Sequence, residues 1–353
     1  MQLGLIGMPL VGKTTLFELM TGTHDKGAPS KANTAIARVP DARIDYLSGI
    51  FKPKKTTYAQ LELIDIPGLM PGTEKGATMF LDAVRRADAL LQVVRLFGTK
   101  SVPYIYDTID PIRDIDTINY ELLLADLDLI EKRIERINAN KKKNLMLKEL
   151  DLLTSLKEAL ESEKPISSVQ LDEAQQEIMA TYQFLTNKPM LLCLNLDEKD
   201  IKEDSYPSRE EISRYSEEHH IPVVEVSASI EREIADLEPE EKELFLDELG
   251  INESGLTKIC RTMYQRLGLI SFFTVGEDEV KAWTIEAGTN ARKAAGKIHS
   301  DIERGFIRAE VVDYNVFKEL GSMNAVKDKG LFRLEGKEYV IKDGEIVHFR
   351  FNV

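Results

Sequence analysis

Two cysteines, Cys193 and Cys260, are all that 353 residues contain. They are too few for a disulfide framework, and the simple expectation is a reducing, cytoplasmic setting. No run of about 20 apolar residues occurs, which excludes a membrane-spanning helix. The opening MQLGLIGMPLVGKTT has no basic leader and no cleavage site, so no secretion signal is expected. Glycine (21) and proline (13) are too sparse for a fibrous or disordered class. Positive charge is also short: 46 Lys and Arg against 60 Asp and Glu leave a formal net charge of −14. That balance argues against a globally basic nucleic-acid coat but leaves room for a local basic face. Fixed-period repeats and low-complexity tracts are missing.

What remains is an ordinary globular composition, 43% hydrophobic and 30% charged. The length exceeds one typical core, so two or three domains are expected. Strand-like runs fall at 2–6, 60–66, 88–95, 189–195 and 221–226. Several are continuous Val/Ile/Leu runs, the mark of strands buried on both faces of a parallel sheet. Helical patterns between them predict a doubly wound, mostly parallel α/β domain. Two segments break the rhythm. Residues 119–187 carry Leu and Ile at helical spacing with Lys and Glu between them, and NANKKKN reads as the turn of a helical hairpin. From 268, short strands are expected at 269–275, 279–285, 307–313, 331–335, 339–342 and 345–351, with helices near 291–297 and 315–328. Asp343-Gly344 carries a hairpin signal. The expected domains are therefore 1–118 with 188–267, a helical insertion 119–187, and a small α+β domain 268–353.

Gly7-Met8-Pro9-Leu10-Val11-Gly12-Lys13-Thr14 fits GxxxxGK[ST], placed after a strand and opening a helix. Glycines let the backbone wrap an anion, and successive N–H groups then point at phosphates. Lys13 supplies positive charge to the β/γ-phosphates, Thr14 offers a hydroxyl to magnesium, and Thr15 extends the loop. Asp65 ends an apolar strand before Ile66-Pro67-Gly68. There the carboxylate can serve magnesium and the Gly68 N–H can sense a γ-phosphate. Thr34, in the polar segment 23–38, is the candidate for a threonine that closes on the metal. Leu69 stands where many nucleotide switches place a water-orienting glutamine, so slow intrinsic turnover is expected. Asn195-Leu196-Asp197-Glu198 and Ser227-Ala228-Ser229 follow two later strands, where base-recognition loops belong. In a guanine-specific NKxD loop an aspartate accepts from guanine. Here Glu198 holds that position and Leu196 replaces the lysine, so guanine discrimination is lost and ATP is expected over GTP.

These residues resemble the YchF / Obg-like ATPase family. The matching pieces are GMPLVGKTT, VPDARIDYL, DIPGL, DPIRDIDTI with ELLLADL, NLDE, VSASIEREIADLEPEEKELFLDELGI and most of the chain after 272. The resemblance implies a nucleotide-binding G domain, a coiled-coil insertion and a C-terminal TGS-type, ubiquitin-like domain. It also implies weak ATPase activity and association with ribosomes or the translation machinery. The chain departs from the family at Leu10, where an asparagine is usual, and at Gln92, where some members carry a histidine proposed as catalytic. No catalytic base is carried over.

The expected function is thus a magnesium-dependent switch hydrolysing ATP slowly, with a ribosome or RNA contact through the C-terminal domain and the insertion. Arg292, Lys293, Lys297, Arg304 and Arg308 could form the local positive face. An interaction module with negligible hydrolysis and a guanine-specific GTPase are the alternatives. Elsewhere the readings are plain. The five histidines (His24, His219, His220, His299, His348) lack zinc-ligand spacing, Cys193 is a buried small hydrophobe, and Trp283 packs in a core. The acidic run from Glu231 to Glu248 is a solvated helix face.

Overall fold

The computed structural model describes residues 1–23, 33–70, 72, 74–98, 102–141 and 143–352. His24, most of the polar segment 23–38, and Lys142 of the hairpin turn lie outside the described residues.

The chain runs β1 (Gln2–Ile6), α1 (Lys13–Thr21), β2 (Asn33–Arg38), α2 (Ala42–Phe51), β3 (Lys55–Thr57), β4 (Gln60–Asp65), α3 (Glu74–Arg86) and β5 (Ala89–Arg95). Next come α4 (Pro111–Asn138), α5 (Leu147–Glu161), α6 (Glu173–Met179), β6 (Met190–Asn195), α7 (Glu198–Glu203), α8 (Arg209–His219), β7 (Val223–Val226) and α9 (Ala228–Asp236). Then follow α10 (Pro239–Leu249), α11 (Gly255–Arg266), β8 (Leu269–Thr274), β9 (Glu279–Glu286), α12 (Ala291–Ile298), α13 (Ser300–Arg304) and β10 (Phe306–Asp313). The chain closes with α14 (Tyr314–Leu320), α15 (Met323–Asp328), β11 (Arg333–Glu335) and β12 (Glu345–Phe351).

Two compact units result, residues 1–35 with 62–256 and residues 36–61 with 257–353. The first is built on a six-stranded sheet in the order β2-β4-β1-β5-β6-β7. The pairs β1/β4, β1/β5, β5/β6 and β6/β7 are parallel, as continuous apolar strands require. Every residue of β5 and β6 is buried. The chain leaves β1 for β4 on one side and reaches β5 on the other, so β1 is a topological switch point. The loop after its carboxyl end opens a crevice suited to a ligand.

The insertion is an antiparallel pair of α4 and α5. Asp110 caps α4 by accepting from Arg113 N at 3.0 Å, and Pro111 fills the first turn. The helix therefore starts eight residues before the expected boundary of 119. Ile130, Ile137, Leu153, Leu156 and Leu160 close the seam, and Arg133 grips Glu149 through two bonds of 2.8 and 3.0 Å. Asp126, fully buried, accepts from Leu185 N, Thr186 N and Thr186 Oγ1 at 2.8–2.9 Å, which ties α4 to the segment leaving the insertion.

The second unit is a mixed six-stranded sheet ordered β11-β10-β12-β8-β9-β3. Ala291, Ala294 and Ala295 of α12 are fully buried with Phe272, Ile285, Val311 and Val347, so small residues let this helix lie close on the sheet. Segment 36–61, read from sequence as part of the nucleotide domain, groups with this unit instead. β3 pairs in parallel with β9 (Lys55 opposite Glu279), Phe51 stacks on Phe317 at 5.5 Å, and Arg43 meets Asp343 at 2.7 Å. Three expectations need correction. Residues 339–342 form no strand, only one bridge from Val340 to Asn290. The Asp343-Gly344 turn is present, Gly344 at φ 83°, but it closes no hairpin. Its Asp343 carboxylate accepts from Ser271 N at 2.9 Å. The helix expected over 315–328 is two helices, broken where Gly321 adopts φ 73° and Ser322 caps α15.

Candidate nucleotide site

The phosphate loop is shaped by close approaches that exclude side chains. A Cβ on Gly7 (φ 144°) would sit 2.4 Å from Val93 O, and one on Gly12 (φ 101°) 2.3 Å from Asn195 Nδ2. Lys13 opens α1, and its ammonium folds back onto the loop, donating to Met8 O at 2.7 Å and Gly7 O at 3.2 Å. Burial pulls its pKa down to about 8, against the Asp65 carboxylate, which pulls it upward. Burial of the cation on carbonyls, with the Asp65 carboxylate as its counter-charge, makes a site where added negative charge is favourable. Thr14 Oγ1 donates to Asp65 Oδ2 at 2.7 Å, bringing together the two oxygens read from sequence as metal ligands. The motif Asp65-Ile66-Pro67-Gly68 is bound to the loop through the backbone: Ile66 N reaches Leu5 O and Leu69 N reaches Gly7 O, both at 3.2 Å.

The second half of the site is held by one side chain. Asn195, at the carboxyl end of β6 and 2% exposed, donates from Nδ2 to Val11 O at 3.0 Å and accepts at Oδ1 from Ala228 N at 3.1 Å. It clamps the phosphate loop to the Ser227-Ala228-Ser229 turn, whose Ser227 and Ser229 hydroxyls are 2.9 Å apart. Leu196 is buried, which leaves no room for the solvated ammonium of an NKxD lysine. Glu198 begins α7, half-exposed, and pairs with Lys202 at 2.6 Å.

A family model described as "50S ribosome-binding GTPase" matches residues 2–228, and a YchF-GTPase C-terminal model, described as "Protein of unknown function (DUF933)", matches residues 269–352. The chain is 44% identical to "Ribosome-binding ATPase YchF" of Bacillus subtilis (strain 168), covering 99% of both chains. The protein belongs to the YchF / Obg-like ATPase family. It is also 38% identical to "Obg-like ATPase 1" of Oryza sativa subsp. japonica, across 100% of this chain and 92% of that one. The structure of the Schizosaccharomyces pombe YchF GTPase superposes with a TM-score of 0.88 at 32% identity, over 99% of this chain and 97% of that one.

Within this YchF-family site, three positions behave differently from a simple motif reading. Leu10 adopts φ 61° and is 50% exposed. An asparagine tolerates that left-handed backbone well, whereas leucine pays about 1–2 kcal/mol. Leu69 is buried and its backbone N–H donates to Gly7 O at 3.2 Å. Gln92 is buried on β5 and bonds Ile115 O of α4 at 3.3 Å, not the phosphate loop. Thr34 lies exposed on β2, just past the residues outside the description.

Arg95 was missed from sequence. It is 2% exposed, and its guanidinium donates to the carbonyls of Leu10 (3.3 Å), Phe97 (3.1 Å), Val102 (2.9 Å) and Pro103 (3.0 Å). It lies over the rings of Phe97 and Tyr104 at 4.2 and 4.9 Å. One buried cation thus fixes the loop after β5 against the phosphate loop. The signal was available: after Asp88 at its start, the apolar run 88–95 carries no charge until Arg95. Nearby, Gly98 N donates to Asp197 Oδ2 at 2.9 Å, joining the loops after β5 and β6.

Gly68 makes a further testable contact. A Cβ there would lie 2.8 Å from Pro9 N, 2.9 Å from Pro9 Cα and 3.1 Å from Lys13 Nζ. Gly68→Ala must push the loop backbone away, so triphosphate affinity should fall at least tenfold, measured by calorimetry, with little change in the diphosphate. Equal loss for both nucleotides would place the damage outside the γ-phosphate region.

Proposed function

We propose that this chain is a ribosome-associated, magnesium-dependent P-loop ATPase with slow intrinsic turnover, working in the cytoplasm. The observation that carries the reading is the meeting of Lys13, Thr14, Asp65 and Gly68 against one phosphate loop. The backbone N–H groups of Gly7 to Thr15 would hold the phosphates, with Lys13 balancing the β/γ charge and Gly68 sensing the γ-phosphate. Thr14 and Asp65 offer oxygen donors, the set that suits Mg²⁺, with Thr34 as the residue that would close on it. Phosphate oxygens and water would complete its shell, as Mg²⁺ usually keeps several waters. Bound there, Mg²⁺ would neutralise charge on the β- and γ-oxygens.

The base would meet Asn195, Leu196, Glu198 and the Ser227–Ser229 turn. A buried leucine and a lysine-paired glutamate lack the geometry that rewards guanine, so ATP is the preferred substrate. The relatives named ribosome-binding support the partner. Arg292, Lys293, Lys297, Arg304 and Arg308 are all exposed in the C-terminal unit and offer it a surface, with the helical insertion as a second one. Titration with ATP, GTP and their diphosphates should give ATP at least tenfold tighter than GTP, with binding weakened by chelation of Mg²⁺. Phosphate release should be slow alone and faster with purified ribosomes. GTP binding tenfold tighter than ATP would overturn the base assignment, and failure to sediment with ribosomes the partner.

A further inference from the structure

A second cationic cleft opens at the opposite edge of the first sheet. Its volume is about 470 Å³, within the range of small-molecule sites, and larger than a lone phosphate needs. Arg85, Arg86 and Lys188 line it together with Tyr182, Gln183 and Asn187. Arg85 and Arg86 end α3 just before β5, and Lys188 stands just before β6. The phosphate loop and Asn195 lie at the other ends of these parallel strands. Six residues of β6 separate the two edges, roughly 17–20 Å at about 3.3 Å per residue, so one ligand cannot fill both sites.

The charges in the cleft are arranged asymmetrically. Two acids temper its positive charge without cancelling it. Asp88, half-exposed, lines the cleft and accepts from Gln2 N at 2.7 Å, and the buried Asp126, which accepts from Leu185 and Thr186, attracts Arg85 and Lys188 from behind it. Lys188 is anchored by donating to Arg85 O at 3.2 Å and to Ala87 O, which leaves one of its three N–H bonds free. Arg85 is attracted by the buried Asp126, and Arg86 makes no ion pair among the described residues. Arg86 is exposed and Arg85 half-buried, while burial lowers the pKa of Lys188, so the two guanidinium forks carry the charge offered at the cleft. Arginine forks match phosphate oxygens two at a time. Tyr182, whose ring stacks on Phe184 at 5.0 Å, and the amides of Gln183 and Asn187 add an aromatic wall and base-edge partners.

We propose that this cleft binds a ribonucleotide phosphate, presented by an RNA strand, independently of the ATP site. A phosphopeptide would use the arginines but not the aromatic wall and amides, so RNA is favoured.

The test compares full-length protein with Arg85→Gln/Arg86→Gln, both saturated with a non-hydrolysable ATP analogue and Mg²⁺. Fluorescence anisotropy with a short single-stranded RNA should show at least a tenfold loss in the variant. The salt dependence should flatten by about 1.4 in log–log slope, as expected for two lost phosphate contacts on a single strand. Affinity for the ATP analogue should not change, which separates this result from any failure of the nucleotide or ribosome reading. Competition by AMP distinguishes the source: displacement of RNA by millimolar AMP in the wild type alone shows that a free nucleotide also fits the same site. Lys293→Gln/Lys297→Gln serves as the control for the C-terminal face. Unchanged RNA affinity in the arginine variant, or tighter binding of a phosphoserine peptide than of RNA, would overturn the proposal.

Discussion

Lys13→Ala should lose ATP binding by at least about thirtyfold and lose none of its fold. A desolvated charge pair is worth about 2–5 kcal/mol, and about 1.4 kcal/mol is tenfold in affinity. The stability half follows from linkage. The folded-state pKa of Lys13 is about 8, below its ordinary 10.5, because burial disfavours the ammonium. Between these values the unfolded chain binds more protons, so the contribution of this group makes stability rise with pH from about 8 to 10.5. Below pH 8 the full penalty is present, roughly 3 kcal/mol for such a depression. Removing the ammonium relieves it, offset by the lost bonds to Met8 O and Gly7 O at about 1 kcal/mol each. Urea unfolding of the nucleotide-free variant at pH 7 should therefore give stability equal to or above wild type. A drop of more than about 1 kcal/mol would mean that the lysine supports the loop. The same pKa sets the pH dependence of binding. Phosphate keeps Lys13 protonated in the complex, so ATP affinity should fall about tenfold from pH 7 to pH 9, with proton uptake visible by calorimetry in buffers of different ionisation heat.

Much of this architecture could be read from residues alone because its signals are local. The phosphate loop, the DIPG turn and the Asn195 loop each follow a continuous apolar strand, and β1 and β12 begin and end where the pattern says. What could not be read depends on long-range pairing. β3 is three polar residues, Lys55 to Thr57, with no hydrophobic pattern of its own, and it exists because β9 supplies hydrogen bonds from more than 200 positions away. The 339–342 segment shows the opposite error. Its alternation looks like a strand, but Glu345 accepts from Lys342 N at 2.9 Å and from the Tyr339 hydroxyl at 2.6 Å, which curls the segment back instead. Gly12 is legible as a phosphate-loop glycine but not as the partner of Asn195, because motif spacing says nothing about which side chain from β6 fills the space beside it.

That partnership makes Asn195→Ala the second large effect. The substitution removes the partner of Val11 O, which is buried, and of Ala228 N, which is part-buried. At about 1–3 kcal/mol for the buried Val11 O and about 1 kcal/mol for the part-buried Ala228 N, chemical unfolding should show a loss of about 2–4 kcal/mol. ATP and GTP affinity should fall together, tenfold or more, because the clamp positions both the phosphate loop and the base turn. A loss below about 0.5 kcal/mol with unchanged affinity would show that the two loops hold their places without it. The cycle with Gly12→Ala sharpens the claim. Alone, the new methyl would lie 2.3 Å from Asn195 Nδ2 and must displace it. In the Asn195→Ala background that obstacle is gone, and only the cost of alanine at φ 101° remains. The double variant should therefore lose less stability than the sum of the singles, by about 1–2 kcal/mol, as residues in direct contact do. Strict additivity would mean that Gly12 is required for its backbone angle alone and that Asn195 does not set the space beside it.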